Sequence, residues 1–247
     1  MTEKAKEIEE AMIQMADEKQ AAHLMRFFKC GPGEYGYGDR FLGIRVPHTR
    51  SLVKECRNLV GIEDAVGLVK SEWHEVRLAG FLFLIELFKK AVKAKDIQTK
   101  EKIVNIYIDL IPYGNNWDLV DLVAPKILGD YLVIHPEKRK ILDDFSAMSD
   151  SLWHQRVAIV ATWTLICHGI YDDVIRISKG YLNHSHDLIH KASGWMLREM
   201  GKRGGEKELR DFLDKYATSM PRTMLRYSIE RFPEQERQYY LKLRKDD

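Results

Sequence analysis

Apolar residues recur at helical spacing along nearly the whole chain. Leu78, Phe81, Leu82, Ile85 and Phe88 form one such stripe, and Val157, Val160, Ala161, Thr164 and Leu165 form another. Almost nothing alternates as a half-buried strand would. Breaks fall at Gly31 to Gly38, Pro112 to Gly114, His135-Pro136, the Gly204-Gly205 pair and Pro221, which predicts a succession of helix pairs. The expected fold class is all-α, one continuous helical array.

Four segments align without gaps: Trp117 to Leu128, Leu152 to Trp163, Asp187 to Arg198 and Arg222 to Pro233. Their fifth positions, Asp121, Arg156, Lys191 and Arg226, fall 35 residues apart, and Trp73 to Leu84 puts Arg77 in register 44 residues upstream of Asp121. A helix pair of this length cannot bury its apolar face alone, so neighbours stack into a solenoid whose equivalent positions project from one side. The expected result is a curved array with a concave basic groove, its row reading Arg77, Asp121, Arg156, Lys191, Arg226. The same row also suits a solvated face or ion pairs between repeats.

Trp117 and Asp121 are four apart, so on a helix an indole and a carboxylate share one face, and Lys191 and Trp195 repeat that relation. Two indoles and one carboxylate in a basic groove, with Arg156 between them, suit a ligand that is anionic along its backbone yet carries one local positive charge. Alkylated DNA is such a molecule. The alternative for each Trp is core packing, and for Asp118 and Asp121 a cap and a surface charge. Asp118 is the less functional of the two in this reading, turned toward a neighbouring loop or arginine.

Composition narrows the class further. The 247 residues are 45% hydrophobic and 31% charged with net charge +2, an ordinary soluble balance in which only clustering of charge would mark a nucleic-acid partner. Met1 to Glu10 is charged almost from the start and lacks the apolar stretch that a secretory signal or membrane anchor requires, and no later run is of bilayer length, so neither is expected. Three scattered cysteines, Cys30, Cys56 and Cys167, read as packing residues in a reducing, cytoplasmic setting. Gly31 to Gly36 fits a dinucleotide fingerprint by letter, but Pro32 sits inside it and no strand precedes it; a connector explains it better. Gly43 to Arg50 reads as a helix start facing phosphate, with Arg45 and Arg50 as contacts. His184, His186 and His190 form a polar turn, since no acidic or thiolate partner completes a metal set. Neither a metal nor a cofactor is expected.

At Trp117-Asp118-Leu119-Val120-Asp121, Gln155-Arg156 and Gly194-Trp195-Met196-Leu197-Arg198-Glu199 the sequence resembles the AlkD-type DNA alkylation-repair glycosylase family. The likeness runs through Phe41-Leu42-Gly43-Ile44-Arg45-Val46-Pro47, Ala124-Pro125, Leu128-Gly129-Asp130 and Pro221-Arg222, over roughly residues 20 to 232. It implies a single HEAT-like repeat domain over 1–247, with an N-terminal helical region at 1–28 and a C-terminal extension at 233–247. It also implies a monofunctional glycosylase that removes N3-alkyladenine and N7-alkylguanine from duplex DNA as a monomer. Asp121 would be the catalytic carboxylate, Trp117 and Trp195 would contact the damaged nucleotide, and Arg156 would support the site at the DNA backbone. Further contacts are expected from Arg45, Arg50, Lys191, Arg198, Arg222 and Arg226. Asn116 and His154 depart from the family pattern, which carries bulkier or apolar residues there. A non-catalytic helical-repeat module binding DNA or protein is the competing reading, and base release separates the two.

Overall fold

The structure is a computed structural model describing residues 1–243; the end of the expected C-terminal extension, 244–247, lies outside the described residues. Helices dominate throughout, and the one β-type feature among the described residues is an isolated bridge between Arg40 and Trp73. The chain forms two compact units, Met1–Val123 and a second beginning at Ala124. None of the described helices is long and apolar enough to cross a membrane.

The first unit contains α1 (Glu3–Ile13), α2 (Glu18–Phe27), α3 (Val46–Cys56), α4 (Ile62–Val69), α5 (His74–Ala94), α6 (Ile97–Leu110) and α7 (Trp117–Val123). The α5 helix is its axis. It packs on α3, α4, α6 and α7, while α4 also meets α1 and α6. Phe81, Phe83, Leu84 and Phe88 of α5 are fully buried, each such side chain contributing about 1.5–3 kcal/mol. The α5 helix stops where Lys95 turns left-handed at φ 57°, and Asp96 then caps α6 by accepting from the Thr99 amide at 3.0 Å.

The second unit opens with a π-helical turn, Pro125–Gly129, followed by α8 (Asp130–Ile134), α9 (Lys140–Ser146), α10 (Leu152–Cys167), α11 (Asp172–Gly180), α12 (Asp187–Lys202), α13 (Glu206–Tyr216), α14 (Arg222–Ser228) and α15 (Glu234–Lys242). The π turn, α10, α12 and α14 pack in succession, and α9 and α11 lie in contact with each other and with the helices that follow them. Because α10 is covered on several sides, nearly every residue from Gln155 to Ile166 is buried, as expected of an internal repeat helix. Gly194 permits the close approach of α12 and α14, since a Cβ there would lie 2.6 Å from Tyr227 Cβ and against the Met224 carbonyl.

The 35-residue register is visible as helix starts: Trp117, Leu152, Asp187 and Arg222 are the first residues of α7, α10, α12 and α14, and Trp73 immediately precedes α5. Two segments are shorter than the pattern predicts. The α7 helix ends at Val123 because Pro125 cannot donate a backbone hydrogen bond. The widened turn is held by Thr164 Oγ1, which donates to the Pro125 carbonyl at 2.6 Å. The α14 helix ends at Ser228, well before Pro233.

Candidate functional site

The short α7 helix is fixed at its start by Asn116, fully buried, whose Oδ1 accepts from the Trp117 amide at 2.9 Å and whose Nδ2 donates to the Phe28 carbonyl at 3.4 Å. This departure from the family pattern is thus a scaffold residue. Gly36 lies against the same junction, where a Cβ would come 2.5 Å from the Phe28 carbonyl. Leu119, Val120 and Val123 turn inward, while Trp117 and Asp121 are both partly exposed at i, i+4 spacing. The Trp117 ring packs on Phe28 at 5.4 Å and meets the edge of Phe27 at 5.9 Å. Phe27 is 57% exposed, a large aromatic surface at the end of α2. Burial raises the pKa of the Tyr107 phenol on α6, and the charge of Asp121 adds to the rise.

Asp118 points elsewhere on α7. Its Oδ2 lies 2.9 Å from His74 Nε2, while His74 Nδ1 lies 2.8 Å from Asp39 Oδ2, so one buried imidazole joins two carboxylates. Arg77 Nη2 closes the network by donating to Asp39 Oδ1, and donates to Asn115 Oδ1 at 3.0 Å; Nη1 donates to the Ser71 and Glu72 carbonyls. Burial alone would depress His74, but Asp118 and then Asp39 outweigh it and push its pKa up to about 9. Burial likewise works against ionised Asp39, yet His74 and Arg77 hold its carboxyl below the ordinary range. His74 is therefore held as a cation at neutral pH, against an Asp39 carboxyl that stays ionised.

The segment leading to α3 is gripped by the first turn of α5. Glu75 accepts from three successive amides, Leu42 at 2.9 Å, Gly43 at 2.8 Å and Ile44 at 3.1 Å, and the His74 amide donates to the Arg40 carbonyl at 2.8 Å. Phe41 is thereby stacked on His74 at 4.3 Å. Arg45 is the exposed N-cap residue of α3 and Arg50 is exposed within it, so the helix start expected at Gly43 to Arg50 is present.

In the second unit Lys191, Trp195 and Arg198 share one stripe of α12, and Arg222 and Arg226 are exposed on α14. Lys191 pairs with Asp187 at 2.7 Å, Arg198 pairs with Glu230 and lies 3.5 Å from Glu199, and Arg222 donates to the Leu241 carbonyl at 2.8 Å. Arg198 also lines a cavity of about 460 Å³ with Lys202, Arg210, Arg231 and Phe232. Arg156 is only 4% exposed and donates to the Leu188 carbonyl at 2.6 Å. Arg77 is 5% exposed. The row expected to line a groove is therefore corrected at these two positions, where guanidinium groups tie down buried carbonyls instead of facing solvent.

The histidine turn uses its ring nitrogens locally. His184 Nε2 lies 3.0 Å from Gln155 Oε1 and its Nδ1 accepts from the His186 amide at 3.0 Å; His186 Nδ1 accepts from the Leu188 amide at 3.1 Å; His190 Nε2 lies 2.5 Å from the His184 carbonyl. No group of three or more potential metal ligands occurs among the described residues. His154 lies 2.6 Å from Ser151 Oγ through Nδ1, and burial lowers its pKa. Cys30 is buried, and burial pushes its thiol up to about 11; Cys167 is exposed, which corrects its expected packing role.

A family model described as DNA alkylation repair enzyme matches residues 8–232. The chain belongs to the DNA alkylation repair enzyme family. A solved structure described as a predicted DNA alkylation repair enzyme from Enterococcus faecalis covers 89% of this chain and 97% of its own, with a TM-score of 0.69 at 16% identity. At that identity the likeness shows the shared helical-repeat fold. No curated protein matches the chain.

Among the residues of this family member that carry the site geometry, Asp39, His74 and Glu75 stand outside the motifs read from the sequence. One signal was available: the 44-residue register aligns His74 with Asp118, and equivalent positions of stacked repeats are neighbours. A base and an acid in register mark a contact between repeats.

Proposed function

We propose that the protein is a DNA glycosylase that hydrolyses the N-glycosidic bond of positively charged alkylated purines, N3-alkyladenine and N7-alkylguanine, in duplex DNA. The observation that carries this reading is the exposed face of α7, where Trp117 and Asp121 stand one helical turn apart on a helix pinned by Asn116 and Asp118. An alkylated purine already bears the positive charge that makes it a good leaving group. As the C1′–N bond breaks, its electron pair neutralises the purine and positive charge develops on the deoxyribose. The role assigned to Asp121 is to stabilise that oxocarbenium-like centre and position water, which adds to C1′ and releases a proton. The Trp117 and Trp195 faces are assigned to the cationic base and sugar.

Phosphate contacts are assigned to the exposed Arg45, Arg50, Arg222 and Arg226, with Lys191 and Arg198 exchanging their carboxylate partners for DNA. Arg156, being buried, is assigned to support the start of α12 rather than to touch the backbone directly. The chemistry asks for no cofactor, and the three free cysteines suit a cytoplasmic setting.

The test is release of N7-methylguanine and N3-methyladenine from methylated duplex DNA by wild type and Asp121→Asn. A loss of about 10²-fold or more with DNA affinity retained is expected. Equal release by both would reject the role of Asp121, and no release by wild type would leave the non-catalytic DNA-binding reading in its place.

A further inference from the structure

Four rings form a column in the first unit. His74 stacks on Phe41 with centroids 4.3 Å apart and planes 18° apart, Phe41 on Phe28 at 5.1 Å and 15°, and Phe28 against Trp117 at 5.4 Å and 30°. The column begins at a side chain 2% exposed and ends at a partly exposed indole. The same imidazole also reaches Trp117 through its neighbour, since Asp118 is the next residue on α7 and accepts from His74 Nε2. His74 thus holds the indole by two independent routes: ring packing from behind and a charged hydrogen bond to the helix that carries it.

We propose that His74 is a positioning residue for the reaction, its imidazolium locking Asp118 and the ring column so that the Trp117 indole and Asp121 are presented in one fixed geometry. This rests on the glycosylase reading of the α7 face. Two consequences follow from the charge. Asp118 lies beside the indole assigned to a cationic base, and pairing with an imidazolium offsets its negative charge. Without His74, Asp39 would be a buried carboxylate with Arg77 as its ion-pair partner and the Arg40 amide as a further donor. Deprotonating His74 withdraws the donor from one carboxylate, and because Asp39 has no exposure, Asp118 on the partly exposed α7 is the one released. Trp117 then loses its anchor.

Groups facing His74 are Asp39 and Arg77 from one side and Asp118 from α7, with Glu75 next in chain but committed to the Leu42 to Ile44 amides. Cys30, held protonated by burial with Asp39 and Glu34 adding to the rise, contributes no charge at neutral pH.

The experiment follows the His74 ring signal and the Trp117 indole N–H signal by NMR from pH 6 to pH 10 in the free protein. Single-turnover base release is measured over the same range, for wild type, Asp118→Asn and Asp121→Asn. In wild type both signals should titrate together near pH 9, and the single-turnover rate, not the DNA affinity, should fall with them. Asp118→Asn keeps an acceptor for Nε2 but removes the charge, so the shared midpoint should move down by about 1–3 pH units. Asp121→Asn should leave the coupled titration intact while abolishing release, which separates this proposal from the glycosylase assignment. A Trp117 signal indifferent to His74, a midpoint unmoved in Asp118→Asn, or a rate that stays flat through the His74 titration would overturn the proposal. Should wild type release no base, the assignment fails and the titration in the free protein decides the positioning role alone.

Discussion

Histidines secure two helix starts in this protein, and they do so in opposite charge states. At α7 the buried His74 bridges Asp39 and Asp118 and is held protonated, up to about 9. At α12 two histidines serve through lone pairs: His184 Nδ1 and His186 Nδ1 each accept a backbone N–H, which requires the neutral ring. Burial, together with neighbouring positive groups, lowers both of their pKa values. The difference teaches that the groups bonded to the ring nitrogens decide the role: two carboxylates hold His74 as a cation, whereas main-chain N–H donors make His184 and His186 acceptors, even with Asp187 adjacent to His186.

The largest test of this contrast is His74→Ala. It removes the imidazolium that joins Asp118 to Asp39, leaving Asp39 to Arg77 and the Arg40 amide, and a loss of about 3–5 kcal/mol is expected from urea unfolding. A loss below 1 kcal/mol would show that the network is not charged as described.

The pH dependence of stability should next show two limbs of opposite sign. A histidine whose folded pKa is raised contributes fully below its unfolded value of about 6.5 and loses that contribution as pH climbs. The stabilisation from His74 therefore fades as pH rises through about 9. His184 and His186, depressed in the fold, contribute above that unfolded value and lose their contribution as pH falls below it. His186→Asn supplies a cap that does not titrate, so its unfolding midpoint should lose part of the acid limb while keeping the alkaline one. An unchanged acid limb would remove the cap from the account.

A smaller effect separates buried from exposed arginines. Replacing Arg226 by Ala should flatten the salt dependence of DNA binding by about one unit of slope and leave stability within about 0.5 kcal/mol. Arg156→Ala should do the reverse, lowering the thermal midpoint because the Leu188 carbonyl loses its donor. Smallest of all, Lys191→Ala removes an exposed pair with Asp187 and should change stability by less than about 1 kcal/mol.

The helix starts at Trp117, Leu152, Asp187 and Arg222 were legible because stacked repeats oblige the chain to repeat its apolar face at fixed spacing. The turn after α7 was not, since apolar periodicity continues across Ala124-Pro125 and the Pro125 carbonyl meets its donor, the Thr164 hydroxyl, far along the chain. Arg77 and Arg156 depart from the expected row for a related reason: each donates to main-chain carbonyls, Ser71 and Glu72 for Arg77 and Leu188 for Arg156, which every residue possesses and no letter distinguishes. Asp118 turns not to the loop or arginine its sequence context suggests but to His74; a single acid gives no hint that its base lies 44 residues away until the register is drawn. Family membership and the all-helical repeat were legible from motifs spread along the chain, whereas the buried half of the candidate site emerged only from packing.

Glu75 gathers three successive main-chain amides onto one side chain, beside the main-chain bonds of Arg40 to His74 and Leu42 to Asp17. Since it binds main-chain amides of Leu42, Gly43 and Ile44, it is indifferent to what those residues carry, so drift at 42 and 44 is tolerated as far as packing allows. Robustness to many substitutions is thereby exchanged for vulnerability to one: loss of the Glu75 carboxylate unfastens three amides at once and leaves Phe41 held against the ring column by its neighbours' carbonyls.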